Sequence, residues 1–565
     1  MSGRHVPVPP DRVHVHAWQE QMLPTFRTFL LALFLGALLA PAAQASPGQL
    51  SIMMDDDLLL YRDDGTATRT LTQMKSLGVD TVRVTMLWRV AAENARLTPS
   101  EIRELKGSAK TRARRQARRF RGADPATYPV RNWDRYDNLV RKANEIGLQV
   151  YFNVTGPGPR FAHADAPRSQ RRNQGTWKPK AGLYKQFVTA VGRRYSGTYR
   201  DENGSRTALP RVSFWSLWNE PNQAGWLSPQ WEQRGSSRVP AAPAMYRELH
   251  HFGYRGLVAS GHGGDTVLLA ETAPLGTSRP TSREPMRPGL FLRELACVQP
   301  DGTLYSGRAA SLRDCGDFDR RGALKATGYA HHPYTKNVAP TVRNGHPDAY
   351  TMANISELGT LLDNLSAKTG GDIPSGLPLL MTEFGFESNP PDPHSGVPLD
   401  TQAQFNQIGE FMAWQNPRIL AQAQFILRDV APVRKFRKGS KPYWFTYQSG
   451  LFFQRGLPKP AAFAYSMPFL GFLIGTDPTT GTARAGFWGQ LRFLRNGVTD
   501  SARIQWRPRD RSQDWTTVGE PIPVDPRGFY EAQRSAPLPV PGEWRAIWQT
   551  ADGQVGQFSL STPIG

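Results

Sequence analysis

Cysteines and long hydrophobic runs are scarce in this chain of 565 residues. It contains two cysteines and one extended apolar run. It has no tight metal-ligand spacing, no phosphate-binding glycine loop and no serine nucleophile elbow. We therefore expect neither a metal ion nor a cofactor. With 39% hydrophobic residues and 15 tryptophans, the composition also excludes a wholly disordered chain.

The apolar run occupies residues 29–40, close to the N-terminus. About 12 apolar residues are too few to span a bilayer comfortably, and residues 43–45 (AQA) fit a small-x-small cleavage site. We interpret residues 1–45 as a signal peptide cleaved after Ala45. We expect a secreted protein, with association with the cell wall as an option. A single-pass anchor is the alternative interpretation, and Met22 is an alternative start of translation.

Acidic residues are in short supply. The 48 Asp and Glu face 69 Lys and Arg, which gives a formal net charge of +21 and favours contact with anionic polymers or surfaces. The surplus is diffuse except at residues 103–121, where nine residues are Lys or Arg. This segment is a candidate site for an anionic cell-surface polymer, or else a solvated helix or a mobile loop insertion. We expect no nucleic-acid partner, and a monomer.

The two cysteines, Cys297 and Cys315, are 18 positions apart. In an exported chain such a pair is predicted to form one disulfide that closes a local loop.

Short β-branched runs alternate with amphipathic segments from about residue 50 to 470. The buried-strand candidates are residues 51–54, 79–84, 148–154, 212–218, 266–271, 326–331, 378–382 and 421–427. Eight strands separated by helical patterns predict a (β/α)8 barrel with long loops, here assigned to residues 46–474. The spacing alone also allows an open doubly wound sheet.

The remaining residues, 475–565, lose the helical periodicity and are predicted to form a small β-sandwich. The segment Asp477–Gly481 (DPTTG) is interpreted as the linker. Alternation puts Trp544, Ala546 and Trp548 on one face, which favours a sandwich core. We therefore expect a packing or spacer domain rather than a carbohydrate-binding module.

Two carboxylates follow apolar strands directly. Glu220 ends the run 214–220 (FWSLWNE), and Glu383 ends the run 379–383 (LLMTE). Barrel enzymes keep their catalytic groups at the carboxyl ends of the strands. An acid in that position is either a structural ion-pair partner or a group that acts at the barrel mouth.

Both segments resemble the clan A glycoside hydrolases, the superfamily of the family 5 cellulases and family 39 enzymes. Residues 218–221 (WNEP) resemble the strand-four signature, and residues 382–385 (TEFG) resemble the strand-seven segment. The resemblance covers about residues 50–470. It implies Glu220 as general acid/base, Glu383 as nucleophile, and Asn219 as a hydrogen-bond partner of the substrate 2-hydroxyl.

Further residues match the same pattern. Arg83 resembles the strand-two arginine that pairs with the nucleophile, and residues 332–334 (HPY) imply His332 and Tyr334 beside it. The eighth strand departs from the pattern, because residues 425–429 (FILRD) lack the usual sugar-stacking tryptophan. Trp444 is a candidate replacement. This departure leaves the sugar specificity open.

Four other tryptophans are candidates for stacking on sugar rings or, equally, for loop packing: Trp88, Trp177, Trp226 and Trp231. Taken together, the motifs predict a retaining glycoside hydrolase that cleaves an oligo- or polysaccharide. The main alternative is a non-catalytic glycan- or cell-wall-binding protein on the same fold, which would typically have lost one of the two glutamates. A polysaccharide lyase or a transglycosylase is a third possibility.

Overall fold

A computed structural model of the chain describes residues 48–204, 206–277, 279–494, 500–535 and 542–564. The predicted signal peptide lies outside this range. None of the helices within the described part combines the length and the apolar character needed to cross a bilayer.

Eight parallel strands close into a barrel in which each strand pairs with its neighbours in sequence. The strands are β1 (Leu50–Met54), β2 (Thr81–Leu87), β3 (Gln149–Thr155), β4 (Phe214–Leu217), β5 (Thr266–Thr272), β6 (Gly328–His331), β7 (Leu379–Met381) and β8 (Ile419–Phe425). Pairing of β8 with β1, from Ala421 opposite Leu50 to Phe425 opposite Met54, completes the ring. The predicted (β/α)8 barrel is confirmed, and the open sheet is excluded.

Helices separate the strands, and many of them are short insertions. They are α1 (Asp56–Leu60), α2 (Asp64–Ser76), α3 (Trp88–Ala91), α4 (Pro99–Glu104), α5 (Gly107–Arg119), α6 (Arg131–Ile146), α7 (Ala181–Arg194), α8 (Ala242–Val258), α9 (Pro288–Leu295), α10 (Gly307–Ser311), α11 (Asp317–Arg321), α12 (Ile355–Lys368), α13 (Leu399–Gln415) and α14 (Pro460–Ser466). Helix α6 shows why the sequence folds this way. It buries one apolar stripe that includes Trp133 and Tyr136, and it ends at Gly147, whose φ of 76° suits glycine.

The barrel interior is filled by side chains that point inward from successive strands. Residues from seven strands form this inner cluster: Ile52, Tyr151, Phe214, Leu268, Ala330, Leu380, Ala421 and Ala423. Packed side chains close the barrel below the strand ends, so that chemistry is confined to its mouth.

The C-terminal region forms two antiparallel sheets around a second core. One contains β9 (Phe469–Thr476), β10 (Ala483–Gln490) and β13 (Phe529–Ser535). The other contains β11 (Ser501–Pro508), β12 (Thr516–Pro523), β14 (Gly542–Gln549), β15 (Val555–Phe558) and β16 (Thr562–Ile564). The predicted sandwich-like architecture is confirmed. Trp506, Trp544 and Ala546 are buried in its core.

The predicted domain boundary and linker need correction. Residue 475 lies inside β9, which begins at Phe469. Residues 477–481 are the turn between β9 and β10: the Asp477 carboxylate accepts from the backbone N–H groups of Thr479 and Thr480, and Gly481 has a φ of 68°. Asp, Pro and Gly mark tight turns and linkers alike, so composition alone did not distinguish them.

The sandwich docks on the end of the barrel where the strands begin. Arg492 donates from Nη1 to Ser51 Oγ at 2.8 Å and forms an ion pair with Glu410 of α13. Arg527 Nη1 lies 2.9 Å from the carboxylate of Asp80, which precedes β2. The domain therefore lies at the end opposite to the strand carboxyl termini.

Cys297 and Cys315 are bonded, with their α carbons 5.8 Å apart. Cys297 follows α9, and Cys315 lies between α10 and α11, so the predicted pairing closes the loop that carries α10.

Candidate active site

The two glutamates singled out by the motifs lie together at the carboxyl ends of β4 and β7. Leu217 is the last residue of β4 and Met381 the last of β7, so both glutamates follow their strands within a few residues. One carboxylate oxygen of Glu220 lies within 4.8 Å of one of Glu383. Their side chains remain 19% and 12% exposed, which leaves both carboxylates accessible from the barrel mouth.

The Glu383 carboxylate has a cation and a hydroxyl donor against it. Arg83, buried on β2, places Nη1 3.0 Å from Glu383 Oε1. The hydroxyl of Tyr334 donates to Glu383 Oε2 at 3.1 Å. Burial raises the pKa of Glu383, and the positive charges of His332 and Arg83 oppose that effect. Arg83 also donates from Nη2 to Asn219 Oδ1 at 2.8 Å, which ties the strand-four segment to the same cation.

A third carboxylate, Glu271 on β5, lies beneath the other two and is fully buried. Its oxygens accept hydrogen bonds from six side chains: Arg83 Nη2 (3.0 Å), Asn153 Nδ2 (3.3 Å), Ser216 Oγ (2.5 Å), His332 Nε2 (2.8 Å), Thr382 Oγ1 (2.7 Å) and the Tyr151 hydroxyl. Burial alone would raise its pKa, but the charge of Arg83 and the hydrogen bond from His332 outweigh it. The pKa of Glu271 is consequently held below the usual range of a glutamate.

His332 joins the three carboxylates. Its Nδ1 lies 2.9 Å from Glu220 Oε1 and 3.6 Å from Glu383 Oε2, while its Nε2 lies 2.8 Å from Glu271 Oε2. Burial lowers the pKa of this imidazole, yet Glu383, Glu220 and Glu271 together raise it to about 10. An ionised carboxylate only accepts hydrogen bonds, so both ring nitrogens donate and the ring is an imidazolium at neutral pH.

The backbone at this end of the barrel is also unusual. Trp218, Glu220, Ala270 and Glu271 all have positive φ, at 79°, 35°, 78° and 71°. Non-glycine residues adopt this region at a cost, and such residues cluster at functional sites. The backbone at the ends of β4 and β5 therefore departs from regular strand geometry at the residues that position these side chains.

Glu220, His332 and Glu383 each offer one atom of a type that binds metal ions, and these atoms lie within 4.8 Å of one another. His332, however, donates from both nitrogens to carboxylates. A doubly protonated imidazole has no lone pair for a metal ion. The cluster fits a hydrogen-bonded acid–base site better than a metal site.

Of the tryptophans predicted to contact a substrate, Trp88 is fully buried and the others are less so. Trp88 does not offer a ring face to a substrate: it is 1% exposed and packs against Phe187 and Tyr184, with centroids 5.5 and 5.7 Å away. It begins α3 directly after β2, where its apolar ring completes the core. Trp177 is 9% exposed, and Trp226, Trp231 and Trp444 are partly buried. Contacts of these four residues with a substrate stay a prediction.

Two aromatic residues near the site were missed from the sequence. Phe425, the last residue of β8, packs edge-on against Tyr334 and against Tyr447, with centroids 6.1 and 4.9 Å apart. Tyr447 is 56% exposed, and burial of its hydroxyl and the charges of Glu383 and Glu220 raise its pKa to about 12. This exposed ring, whose hydroxyl feels the charges of both glutamates, is a candidate substrate contact beside Trp444.

Glu271 was also missed, although a signal for it existed. It ends the apolar run 266–271 (TVLLAE) in the same way as Glu220 and Glu383 end theirs. The adjacent segment lacks the Asn-Glu-Pro or Glu-Phe-Gly motif, so the run was interpreted only as a strand.

No protein-family model matches the sequence, and neither does any curated protein. Solved structures that resemble the chain include a monomeric beta-xylosidase from Caulobacter crescentus CB15, with 14% identity over 88% of this chain and 99% of that chain and a TM-score of 0.43. A glucosidase from Croceicoccus marinus shows 13% identity over 86% and 83%, with a TM-score of 0.42. GH5_18 from Streptomyces cattleya, in complex with GlcNAc, shows 16% over 74% and 78%, with a TM-score of 0.41.

These neighbours are clan A glycoside hydrolases, the group that the sequence motifs resemble. At these identities and TM-scores the likeness concerns the fold alone.

Proposed function

We propose that this protein is a retaining glycoside hydrolase that cleaves O-glycosidic bonds in an oligo- or polysaccharide by double displacement. The observation that carries the proposal is the short separation of Glu220 and Glu383. Retaining enzymes need the two carboxyl groups about 5–5.5 Å apart, whereas inverting enzymes leave room for a water molecule at about 6.5–9.5 Å. Oxygens within 4.8 Å of each other support the retaining arrangement.

In the first step, Glu383 attacks the anomeric carbon, the glycosidic C–O bond breaks, and Glu220 gives its proton to the leaving oxygen. The Arg83 guanidinium and the Tyr334 hydroxyl favour the ionised form of Glu383 that this attack requires. Arg83 also takes the side-chain oxygen of Asn219, which leaves the amide nitrogen to donate to a sugar hydroxyl.

In the second step, Glu220 removes a proton from water, and the resulting nucleophile breaks the bond between Glu383 and the sugar. His332 donates to Glu220 and lies near Glu383, so one cation faces both carboxylates through the cycle. The sugar that occupies the site and the choice of endo or exo cleavage are not specified by these contacts.

The experiment compares Glu383→Ala and Glu220→Ala on substrates with good and poor leaving groups. Glu383→Ala should abolish turnover of every substrate. Glu220→Ala should lose activity on poor leaving groups, which need a proton, and should accumulate the glycosyl-enzyme with activated aryl glycosides. Azide should rescue this variant and give a glycosyl azide of retained configuration. Glu145→Ala, at an exposed position on α6, is the control and should behave as wild type.

Equal losses of Glu220→Ala on good and poor leaving groups, with no azide rescue, would contradict the acid/base role. A wild-type protein that binds glycans but cleaves none of a broad panel of aryl glycosides and polysaccharides would instead establish the non-catalytic alternative.

We also propose that the protein is exported. The disulfide between Cys297 and Cys315 supports an oxidising compartment, where such bonds persist. N-terminal sequencing of the mature protein should then begin at Ser46, and an intact N-terminus in the membrane fraction would favour the anchor.

A further inference from the structure

The positive charge of the chain is concentrated in three loops of the barrel. Residues 88–130, after β2, hold eleven Lys or Arg against four Asp or Glu. Residues 156–180, after β3, hold six against one, and residues 426–459, after β8, hold eight against one. These three loops, which we call the basic loops, together carry a surplus of 19 positive charges out of the net +21.

The barrel topology brings the basic loops together. Strands β8, β1, β2 and β3 are consecutive neighbours around the ring, and all three loops leave from the carboxyl ends of their strands. They therefore border one side of the same barrel mouth that holds Glu220 and Glu383. The segment after β1 between them is acidic, but Asp55 is buried and accepts from the Arg428 backbone, and Asp57 pairs with Arg62.

Helix α5 shows how exposed this charge is. Only Ala113 of its thirteen residues is buried, and the helix contains no acidic residue. Thr111 and four arginines, Arg114, Arg115, Arg118 and Arg119, line a surface hollow of about 470 Å³. Among the described residues, no carboxylate lies within 4.0 Å of any of these four guanidinium groups.

Such an arrangement is costly for the free protein. Arg114 and Arg118, like Arg115 and Arg119, are four residues apart on one helix face, where like charges repel each other. The loop after β8 repeats the pattern with Arg434, Lys435, Arg437 and Lys438, all exposed. A ligand with many regularly spaced negative charges would remove this repulsion and release counterions on binding.

The basic loop after β8 also presents exposed aromatic rings. Phe436 is 39%, Phe445 67% and Tyr447 56% exposed. Sugar rings stack on such faces through their apolar C–H patches. Tyr447 packs against Phe425, which packs against Tyr334, the residue that donates to Glu383. A continuous row of side chains thus leads from the candidate nucleophile to the basic loop after β8.

We infer that the substrate is an acidic polysaccharide, with a carboxylate, sulfate or phosphate group on each repeating unit. Units outside the cleavage site lie across the basic loops after β2, β3 and β8. This inference rests on the proposed glycosidase function and names its class of substrate. The charges and the sugar-stacking rings favour this ligand over an anionic lipid surface, and its place at the mouth of the candidate active site favours it over a nucleic acid.

The test measures binding to polymers that differ only in charge. The full-length Glu383→Gln protein, which should not cleave its ligand, is titrated with polygalacturonate and its methyl ester, and with dextran sulfate and dextran. At low salt, at least one acidic polymer should bind ten-fold or more tightly than its neutral counterpart. Changing Arg114, Arg115, Arg118 and Arg119 to Gln in this protein should weaken that binding at least ten-fold and flatten its salt dependence.

The matched control changes four exposed basic residues outside the basic loops, Arg200, Arg206, Arg255 and Lys368, to Gln. It removes the same charge and should leave the affinity within about two-fold of the parent. Equal losses in both variants would show a non-specific charge effect and overturn the inference. Equal binding of the acidic and neutral polymers of each pair would also overturn the inference. Tighter binding of single-stranded DNA or of phosphatidylglycerol vesicles than of any acidic polysaccharide would overturn it as well.

Catalysis separates this inference from the proposed function. In the wild-type background, the Arg-to-Gln variant should cleave a neutral aryl glycoside at the wild-type rate and lose kcat/KM only on the acidic polymer. Binding that depends on the four arginines, without cleavage of any glycoside by the wild type, would contradict the proposed function and not the binding surface.

Discussion

The change Glu271→Gln tests the buried network most directly, because it removes one charge and almost no volume. Glu271 is fully buried and lies 2.8 Å from Nε2 of His332. A neutral carboxamide there should leave His332 with two carboxyl partners, Glu220 and Glu383, both of which are partly exposed. We expect the pKa of His332 to fall and the cation of Arg83 to lose its deepest counter-ion.

The size of the effect follows from the environment of the imidazole. Raising the pKa of His332 from 6.5 to about 10 corresponds to about 5 kcal/mol of preference for the charged ring, shared among three carboxylates. Because burial opposes the carboxylates, their joint effect exceeds this net value, and losing Glu271 should lower the pKa of His332 by at least about one unit. Removing one partner of a buried ion pair typically costs about 3–5 kcal/mol of stability, so the variant should also be less stable.

The assay is NMR of the protein with 15N-labelled histidine, with the His332 signals assigned by their loss in His332→Gln. Wild-type His332 should be protonated at both nitrogens from pH 6 to 9, and in Glu271→Gln its titration should move down by about one unit or more. Stability gives a second measurement. Because the folded pKa is raised, the contribution of His332 is complete below pH 6.5 and is lost as pH rises towards 10. In the variant that loss should begin at the same pH, because the unfolded pKa is unchanged, but it should end at lower pH and be smaller.

The control is Glu294→Gln, which also removes one charge from a buried ion pair, at 2.7 Å from Arg313. It should lower stability without moving the His332 titration. If Glu271→Gln leaves that titration unchanged, or if wild-type His332 loses a proton near pH 6.5, the imidazolium interpretation of the network is refuted.

Three further predictions concern single contacts. Tyr334→Phe should lower kcat/KM at least ten-fold and move the acid limb of its pH profile upward, because a hydrogen bond to an ionised carboxylate is worth about 1.5–3 kcal/mol and lowers the pKa of Glu383. Replacing Cys297 and Cys315 together by Ser should lower the free energy of unfolding in denaturant by about 3 kcal/mol. It should leave kcat unchanged, since Arg83, His332 and Tyr334, which contact the glutamates, lie outside the loop that the cysteines close. Trp515→Ala should leave retention on insoluble polysaccharide unchanged, because that ring lies between Arg507 and Arg545, 4.4 and 4.2 Å from its centroid, and loss of retention would show a carbohydrate-binding role for the sandwich.

The sequence was sufficient for the barrel because each strand and helix carries its own pattern. Helix α6 has a continuous apolar stripe and a glycine at its end, and the strand that follows it is buried except for its first residue, Gln149. Where the sequence-based predictions were wrong, the causes are local. The turn at 477–481 has the composition of a linker, and Trp88 stands at a strand end like a substrate contact although its ring faces the core.

The residues of the candidate site were predictable only where each lies in a short, recognisable motif. Glu220 and Glu383 lie in recognisable motifs, whereas Glu271 depends on partners that the fold brings together from five other strands or strand ends. Arg83 and Tyr151, for example, are 188 and 120 residues away along the chain. No pattern within the run 266–271 predicts that those donors converge on Glu271. A buried carboxylate can therefore be suspected from sequence, but its role requires the closed barrel.

The charges of the network explain why this third carboxylate matters for the proposed chemistry. Arg83 and His332 supply two positive charges, and ionised Glu271 and Glu383 supply two negative charges. These four groups balance, so the charge of the site follows the proton on Glu220. A general acid/base must gain and lose its proton once in each cycle. Of the three carboxylates, Glu271 and Glu383 contact Arg83, whereas Glu220 contacts His332. Without Glu271, the two cations would have only Glu383 and Glu220 to balance them. Glu271 thus supplies the second negative charge against Arg83 and His332 while Glu220 exchanges its proton.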